Sequence, residues 1–324
     1  MEEKKKIMIF YPDFFGYGEK IADSMKSEGM DVCLYNSRSI KSSFGKALFK
    51  IFPELVLKVT KSYYMNILTE SENKELDYIL VIERLPIWFL KKLRELHPKA
   101  RMILYMDDSI ENLKTIEKRF PYFDRILTFD KNDTEKYDNI LFRPLFYTVS
   151  GDTKKSDKYE YDLCFIGTCH SDRYGIIQKI AKQCNKQKFY CYLYLQSYFM
   201  FFLYKLLKKD YRKAKISDFS FKKMDYKSNI HIEHASKVIL DIQHPAQTGL
   251  TMRTIEMLGL KKKIITTNKD IINYDFYRPE NIMIIDRKNP IIRPDFFTSE
   301  YNELPCEIYS KYEIKQWIKD VLGD

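Results

Sequence analysis

The segment KVILDIQHPAQTGLTMRTIEMLG, residues 237–259, places a strand, a polar turn and a helix in direct succession. Its first part, KVILDI, is a continuous apolar run of the kind found in strands that are buried on both faces. Pro245 holds His244 out of the helical conformation, and Gly249 permits a tight turn. The last part has an apolar stripe at helical spacing, which predicts a helix packed on a sheet. The stripe consists of Met252, Ile255 and Leu258. A buried strand followed by such a helix is the repeating unit of a parallel α/β sheet.

The same alternation of strands and helices continues through the whole chain. Ten strands are predicted, five on each side of a polar, aperiodic stretch at residues 142–161. The strands span residues 5–11, 30–35, 77–83, 101–107, 125–130, 161–168, 189–196, 237–242, 262–268 and 281–286. We therefore expect two Rossmann-like domains. They span residues 1–147 and 161–310, with a linker at 148–160 and a C-terminal helix within 311–324.

Composition and charge limit the class of protein. With 324 residues, 45% hydrophobic and 31% charged, the chain is globular in composition and long enough for two domains. The net charge of +10 favours contact with nucleotides, nucleic acid or anionic lipid, unless it is only a lysine-rich solvated surface. No C-x-x-C pair and no signal peptide are evident, so we expect reduced thiols in a cytoplasmic protein. The longest apolar run, residues 198–207, contains Lys205 and is too short to cross a bilayer.

Polar residues that follow strands are the first candidates for function, because open parallel sheets bind ligands beyond the carboxyl ends of their strands. After the first strand, Gly16, Tyr17 and Gly18 form either an acceptor or phosphate loop or a turn that needs glycine only for its geometry. After the fourth strand, Asp107 and Asp108 are candidates for a general base, although one of them can also start the next helix. Rival carboxylates are Asp13 and Glu83.

Two turns in the second half of the chain predict an anion site. Gly167 and Thr168 end one strand, and His170 and Arg173 follow them. An arginine at the positive end of a helix is unfavourable unless an anion lies there, and the alternative is an ordinary surface arginine. In the segment 237–259, backbone N–H groups just before the helix are able to bind a diphosphate. These groups belong to Gly249, Leu250 and Thr251.

Arg253 and Glu256 extend this predicted site into the helix. Arg253 would add positive charge beside the diphosphate, and Glu256 would bind the hydroxyls of a ribose. The alternative is an exposed Arg–Glu pair at i,i+3 spacing, which stabilises a helix only slightly. That alternative does not account for His244, Gln247 and Gly249 on the same turn. We therefore predict that this segment binds a nucleotide.

A segment rich in aromatic and basic residues, LQSYFMFFLYKLLKKDYRKAKISDFSFKK, spans residues 195–223. One interpretation is a core helix with a solvated lysine face. A second is a basic amphipathic surface that lies on anionic lipid. Nucleic-acid binding is a third, which the lack of any recognised nucleic-acid motif disfavours.

Seven motifs, in their order and spacing, are similar to those of bacterial glycosyltransferases with the GT-B fold. They are YMDDSIEN, FDRILTFDKND, FRPLFY, CFIGTCHSDRYG, DIQHPAQTGLTMRTIEMLG, KKIITTN and YDFYRPENIMIIDR. The chain resembles in particular the CgeB-like, glycosyl-transferases-group-1-like enzymes of capsule and lipopolysaccharide biosynthesis. The resemblance covers most of the chain. It implies an α/β GT-B fold, with two Rossmann-like domains facing a central cleft, the acceptor bound by the first and the donor by the second.

The resemblance also implies an activity. The chain would transfer a sugar from a nucleoside-diphosphate sugar to a hydroxyl of a glycan or lipid-linked acceptor, in the synthesis of capsule, lipopolysaccharide or exopolysaccharide. Glu256 falls where such enzymes place the ribose-binding carboxylate, and the final helix resembles the one that crosses back to the first domain. Retaining relatives carry a further acid where this chain has Thr248, so inversion and retention both stay open. The predicted donor-binding residues are Gly167, Thr168, His170, Arg173, Gln196, His244, Gln247, Thr248, Gly249, Leu250, Thr251, Arg253 and Glu256.

Cofactors and partners follow from the same interpretation. No cofactor and no metal ion are expected, because no D-x-D motif is evident and helix N-termini and arginines are able to offset the diphosphate charge. We expect no nucleic acid as partner, and contact with the inner face of the cytoplasmic membrane through residues 198–223 is the open possibility. Two other classes stay open, a nucleotide-sugar epimerase and a non-catalytic envelope-assembly or nucleic-acid-binding protein.

Overall fold

The computed structural model describes residues 4–13, 16–39, 53–149, 159–245 and 248–323. Two compact units divide the chain. Unit 1 comprises Met1–Leu145 and Ile314–Asp324, and unit 2 comprises Phe146–Glu313. Each unit contains one parallel sheet with helices between its strands, so the predicted α/β class is confirmed. Most of the linker predicted at 148–160 lies outside the described residues.

Six parallel strands form the sheet of unit 1, in the order β2-β1-β3-β4-β5-β6. They are β1 (Lys6–Tyr11), β2 (Asp31–Asn36), β3 (Tyr78–Ile82), β4 (Arg101–Met106), β5 (Arg125–Thr128) and β6 (Leu141–Phe142). Its first helices are α1 (Tyr17–Ser27), α2 (Pro53–Ser71), α3 (Ile87–Leu96) and α4 (Lys131–Lys136). The central strands are apolar along almost their whole length because both of their faces are buried. The strand order reverses between β1 and β3.

Five parallel strands form the sheet of unit 2, in the order β11-β10-β9-β7-β8. They are β7 (Tyr161–Thr168), β8 (Phe189–Tyr194), β9 (Ser236–Asp241), β10 (Lys263–Thr266) and β11 (Ile282–Ile284). The helices are α5 (Arg173–Gln183), α6 (Tyr198–Leu207), α7 (Tyr226–His234), α8 (Met252–Gly259), α9 (Asp295–Thr298) and α10 (Cys306–Lys311). In this sheet the strand order reverses between β7 and β9.

The last helix, α11 (Ile314–Leu322), belongs to unit 1. Trp317 is fully buried and packs edge-on against Tyr105 of β4, with ring centres 4.8 Å apart. At the end of the helix, Nη1 of Arg101 donates a hydrogen bond to the carbonyl of Leu322 (2.9 Å). A cation at this position complements the negative end of the helix dipole, so the middle and the C-terminal end of α11 are held against the sheet.

The described residues of segment 237–259 form the strand and the helix that its pattern predicts. Its helix begins at Met252, because Thr251 acts as the N-cap and accepts a hydrogen bond from the backbone N–H of Thr254 (3.2 Å). At the other end, a Cβ on Gly259 would overlap the ring of Tyr147. Only glycine allows this close approach within unit 2.

All ten predicted strands are present, and their ends lie within two residues of the predicted ends. The two-residue strand β6 is not predicted, because two residues are too few to show a period. Among the described residues, no helix combines the length and the apolar character needed to span a bilayer.

Candidate functional site

The carboxyl ends of β7 and β9 lie on either side of the point where the strand order of unit 2 reverses. Such a point leaves a crevice for ligands in open α/β sheets. Gly167, Thr168 and His170 lie at the end of β7, while His244 and Gly249 follow β9. The structure therefore brings the two turns that were predicted to bind anions to the same edge of one sheet.

Asp241, the last residue of β9, fixes the first turn of α8. It is buried, and its Oδ2 accepts hydrogen bonds from the hydroxyls of Thr251 (3.2 Å) and Thr254 (2.9 Å). Its Oδ1 lies 3.8 Å from Nη1 of Arg253. A buried carboxylate needs such partners because water does not reach it. The sequence reasoning treated Asp241 only as the end of a strand and missed this role.

Arg253 is a half-buried guanidinium held from several sides. Its Nε lies 3.5 Å from Oε1 of Glu233 in α7, and its Nη1 faces Asp241. Its guanidinium carbon lies 5.8 Å from the ring centre of Phe165 in β7, within cation–π range. The alternative of an exposed i,i+3 pair with Glu256 does not describe this geometry, because Arg253 pairs with acids on other elements.

Glu233 is a buried acid that the sequence reasoning did not select. Burial raises the pKa of Glu233 to about 7, and the negative charge of Glu256 adds to the rise while Arg253 opposes it. Its carboxyl group is therefore about half ionised at neutral pH. Glu233 contacts Arg253 from α7, the helix that directly precedes β9.

Glu256 is buried on the inner side of α8. The hydroxyl of Tyr226 in α7 hydrogen bonds to Glu256 and to Thr148. Burial raises the pKa of Tyr226 to about 12, and Glu256 adds to this rise. Glu256 therefore does not lie on a solvated polar flank, as its spacing from Arg253 suggested, because α7 packs beside it.

Arg173 links the two turns. Its Nε donates to the carbonyl of Ile242 after β9 (2.7 Å), and its Nη1 donates to the carbonyl of Thr168 in β7 (2.9 Å). Burial lowers the pKa of Arg173 to about 10, and the positive charge of Arg253 lowers it further. Both guanidiniums face the ring of Phe165, at 5.9 and 5.8 Å. The two guanidinium groups repel each other in this partly buried site. A bound anion would reduce that repulsion, so the site favours an anionic ligand.

His170 and His244 come from the two different turns and have ring centres 5.4 Å apart. Burial lowers the pKa of His170 to about 4, and Arg173, His244 and Lys208 lower it further. At neutral pH the His170 ring is therefore uncharged, so that one of its nitrogens donates a hydrogen bond and the other accepts one. The low pKa also reports positive surroundings, which suit an anionic ligand.

Arg287 and Asn268 complete this edge, and sequence reasoning missed both. Nε and Nη2 of Arg287 donate to the two carboxylate oxygens of Asp172 (3.0 and 2.7 Å), and Nη2 also donates to the carbonyl of Gln243 (3.0 Å). Nδ2 of Asn268 donates to the carbonyl of Thr248 (2.8 Å). These bonds hold the turns after β7 and β9 in place. The sequence did contain an indication of both residues, because Asn268 lies in the motif KKIITTN and Arg287 in the motif YDFYRPENIMIIDR.

The other predicted donor residues have varied positions. Leu250 is buried, and Gln196 is exposed just after the edge strand β8. Gln247 lies outside the described residues. In the described parts of the chain, no three or more His, Cys, Asp and Glu side chains are grouped as a metal ion requires.

Unit 1 has its own group of carboxylates at the carboxyl ends of its strands. Burial raises the pKa of Asp107, at the end of β4, to about 7, and the negative charges of Glu83 and Asp108 raise it further. Burial also raises the pKa of Tyr11, at the end of β1, and Asp107 adds to that rise. A carboxyl group with a pKa near neutrality accepts a proton readily in this pH range.

The neighbouring carboxylates have other partners. Glu83 has a left-handed φ of 81°, a strained value for a residue other than glycine, and accepts a hydrogen bond from Nε of Arg38 (2.9 Å). Oδ1 of Asp108 accepts from the backbone N–H of Ser109 (2.9 Å) and from Nδ2 of Asn112 (2.8 Å), as a turn-capping side chain does. Asp13 is exposed after β1. The geometry thus favours Asp107 among the predicted candidates for a base.

The turn with Gly16, Tyr17 and Gly18 starts α1. Gly16 has a φ of 69°, and its carbonyl accepts a hydrogen bond from the N–H of Lys20 (3.2 Å). A Cβ on Gly18 would lie only 3.0 Å from Cβ of Tyr11. Both glycines therefore meet a geometric need, while Tyr17 is buried. A role in binding the acceptor or a phosphate stays a prediction.

Comparison with known proteins gives matches in structure and not in sequence. No family model matches the sequence, and no curated protein matches it. The lipopolysaccharide outer core galactosyltransferase WaaB, in its apo form, is 12% identical with a TM-score of 0.54, over 98% of this chain and 99% of that one. HepE of Anabaena in complex with UDP-glucose is 9% identical with a TM-score of 0.61, over 98% of each chain. The UDP-GlcNAc 2-epimerase of Methanocaldococcus jannaschii is 10% identical with a TM-score of 0.50, over 99% of this chain and 100% of that one.

At such low identity, these matches concern the fold. They extend over both units, and each unit has the parallel sheet with intervening helices that a Rossmann-like domain requires. The fold of the chain is therefore GT-B, as the resemblance of its motifs implied.

Proposed function

We propose that the protein is a glycosyltransferase that moves a sugar from a nucleoside-diphosphate sugar to a hydroxyl group of an acceptor. The observation that carries this proposal is the buried Glu256 beside Arg253, at the strand-order reversal of unit 2. A buried carboxylate suits the paired hydroxyls of a ribose, and an adjacent guanidinium suits a diphosphate. HepE, which has the same fold, has been solved with UDP-glucose, and WaaB is named as a galactosyltransferase.

In this proposal the diphosphate lies on the turns after β7 and β9. The backbone around Gly167 and Thr168, and around Gly249, approaches it closely, and the N-terminal end of α8 attracts its charge. Arg253 stabilises the charge that develops on the departing diphosphate. Arg173 acts in a second way, because its two hydrogen bonds to backbone carbonyls fix the turns while its charge remains in the site.

Asp107 is the proposed general base, with Asp108 and Asp13 as the other candidates. With a pKa of about 7, Asp107 is largely ionised just above neutral pH and still basic enough to remove the proton of an acceptor hydroxyl, as an inverting reaction requires. Gly16, Tyr17 and Gly18 lie on the neighbouring turn and are proposed to border the acceptor. No cofactor or metal ion enters this proposal.

For the acceptor, we propose a glycan or lipid-linked molecule in the synthesis of a cell-surface polysaccharide, such as capsule, lipopolysaccharide or exopolysaccharide, made on the cytoplasmic side of the membrane. The motif resemblance to the CgeB-like group and the similarity in fold to WaaB, a galactosyltransferase of the lipopolysaccharide outer core, support this choice. A nucleotide-sugar epimerase is the second candidate, favoured by the match to the UDP-GlcNAc 2-epimerase.

A panel of nucleotide sugars tests the proposal. UDP-, GDP-, CMP- and dTDP-sugars are added to the full-length protein, and the unfolding temperature and the products are recorded. A donor at about 100 times its Kd adds about 2.7 kcal/mol of stability, which corresponds to a rise of several degrees. Slow release of free sugar from one donor supports a transferase, whereas conversion of the donor to its epimer without an acceptor supports the epimerase. No thermal shift and no turnover with any donor would refute both.

A further inference from the structure

Helix α6 (Tyr198–Leu207) is apolar or aromatic at every position except Lys205, yet only one of its faces packs into unit 2. Phe201 is buried in the core, and Met200 and Tyr204 pack against the same core cluster. The ring of Phe221 stacks on Tyr198, with centres 4.0 Å apart, and holds the start of the helix. The inner face therefore anchors the helix, as the interpretation of a core helix predicts.

The outer face of α6 exposes five large apolar side chains. Tyr198, Phe202 and Leu206 follow one another at intervals of four residues, and Phe199 and Leu207 lie beside them. Their exposed fractions range from 58% for Tyr198 to 78% for Leu206. A continuous exposed row of this kind marks an interaction surface rather than ordinary solvent-facing residues.

Positive charge is concentrated in the segment that contains α6 and follows it. Residues 198–223 contain eight lysine and arginine residues and only two aspartates. Lys205 and Lys208 bend back to donate to the carbonyls of Ala214 (3.1 Å) and Ser171 (3.0 Å). The other six follow the helix in sequence and are exposed: Lys209, Arg212, Lys213, Lys215, Lys222 and Lys223.

We propose that the outer face of α6, with the first four of these cations (Lys209, Arg212, Lys213 and Lys215), docks unit 2 on the surface of an anionic lipid bilayer. The apolar side chains enter the boundary between headgroups and acyl chains, and the cations contact the headgroup phosphates. The helix has ten residues and is about 15 Å long, half of the hydrocarbon thickness, so it lies in the plane of the membrane.

Charge and side-chain type select lipid over two other occupants. A second copy of this chain would bring the same cations together across a two-fold contact, and like charges repel. Single-stranded nucleic acid binds by stacking on aromatic rings, whereas Leu206 and Leu207, the most exposed residues with Phe199, offer no ring. The proposal goes beyond the proposed function, because it concerns where the protein acts and not which reaction it performs.

Vesicle flotation with the full-length protein tests this docking. The wild type is expected to float with phosphatidylcholine vesicles that contain about 30% phosphatidylglycerol and not with pure phosphatidylcholine, since the cations need anionic headgroups. Salt at about 1 M is expected to release most of it. The variant Phe199→Ser/Phe202→Ser/Leu206→Ser is expected to lose at least about tenfold in partition coefficient, because it removes most of the inserted apolar area.

The matched control removes exposed apolar residues elsewhere in unit 2. Ile272 and Ile291 are 55% and 64% exposed, so Ile272→Ser/Ile291→Ser makes a comparable surface change and should leave the partition coefficient unchanged. A second variant, Lys209→Gln/Arg212→Gln/Lys213→Gln, keeps the apolar face and is expected to lose binding to the anionic vesicles.

Three results would overturn the proposal. One is a wild type that does not float, or a triple serine variant that floats equally well. The second is a wild-type dimer in sedimentation velocity that the serine variant converts to a monomer, which would assign the face to self-association. The third is binding of a single-stranded oligonucleotide, without vesicle binding, that the serine variant abolishes. Donor binding is measured without membranes, so failure of the docking and failure of the proposed function are distinguishable.

Discussion

Asp107 in unit 1 and Glu233 in unit 2 are two carboxyl groups whose pKa burial raises to about 7, yet the charged neighbour with the largest effect is an acid for Asp107 and an arginine for Glu233. Asp107 is near Glu83 and Asp108, and both raise its pKa further. Glu233 faces Arg253 at 3.5 Å, and this cation lowers its pKa against the effect of burial. Burial therefore raises both pKa values, but neighbouring acids add to the rise at Asp107, whereas the ion pair with Arg253 opposes it at Glu233.

This difference separates a chemical role from a positioning role. An acid among other acids takes up a proton without losing a cationic partner, which suits a general base. An acid paired with a buried guanidinium fixes that guanidinium, and removing either partner leaves an uncompensated charge. We therefore expect changes at Asp107 to act on turnover, and changes at Glu233 to act on stability and on the position of Arg253.

Replacing Asp107 should have the largest effect. Asp107→Asn removes the proposed base and is expected to lower kcat by about 10²–10⁴-fold, with little change in donor KM. In the wild type, kcat should rise with pH as Asp107 loses its proton near pH 7. The kcat of the variant should not show this rise. Steady-state kinetics from pH 5.5 to about 8.5 measure both effects.

Asp138→Asn is the matched control, because Asp138 is exposed after α4 in the same unit. It should keep the wild-type kcat and its rise with pH. If kcat of Asp107→Asn still rises with pH as in the wild type, another group is responsible for the titration. Asp107 would then not be the base, and its contrast with Glu233 would not hold.

Replacing Glu233 should change how the free energy of unfolding depends on pH. The folded protein holds a proton on Glu233 up to about pH 7, while the unfolded chain releases it near its ordinary value of about 4.3. The free energy of unfolding therefore falls as pH rises through this window. Glu233 accounts for about 2–3 kcal/mol of the fall between pH 5 and 8. Glu233→Gln removes this share, so its free energy of unfolding should depend less on pH than that of the wild type.

Urea unfolding at pH 5 and pH 8 measures this difference, with the exposed Glu280→Gln as the control. Equal pH dependence in the wild type and Glu233→Gln would mean that Glu233 keeps its charge in the folded protein. It would then be an ordinary salt-bridge partner of Arg253.

Glu256 comes next in size. Glu256→Ala removes the proposed ribose ligand and should raise donor KM by about 10–100-fold, the value of one or two hydrogen bonds to a charged group. Because Glu256 raises the pKa of Glu233, Glu256→Gln should also lower that pKa. Glu280→Ala should leave donor KM unchanged. A wild-type KM in Glu256→Ala would remove the ribose assignment, while leaving the buried cluster intact.

Sequence patterns predicted the sheets better than the site. Buried parallel strands are apolar runs between turns, so each is visible locally. The two turns after β7 and β9 were also visible, because open parallel sheets bind ligands beyond the carboxyl ends of their strands. Glu233 and Arg287 were not, because what places them beside Arg253 and Asp172 is the packing of separate elements. The burial of Glu256 depends in the same way on Tyr226, thirty residues earlier in the sequence.

The smallest effect is expected at Asp108. Replacing this residue distinguishes the effect of its negative charge on Asp107 from the effect of its hydrogen bonds on stability. Its Oδ1 accepts two hydrogen bonds, from Ser109 and Asn112, and asparagine retains that oxygen. Asp108→Asn should therefore cost less than about 1 kcal/mol in stability. Because Asp108 raises the pKa of Asp107, the rise of kcat with pH should occur at lower pH in this variant. The maximal kcat at high pH should change less than about threefold.

The kcat–pH profile of Asp108→Asn gives the measurement, with Asp138→Asn again as control. A loss of turnover as large as that of Asp107→Asn would mean that the two aspartates work as one unit that shares a proton. The crowded acids of unit 1 would then be a coupled pair, and the contrast with the ion pair of Glu233 would be one between two pairs rather than between a base and a positioning residue.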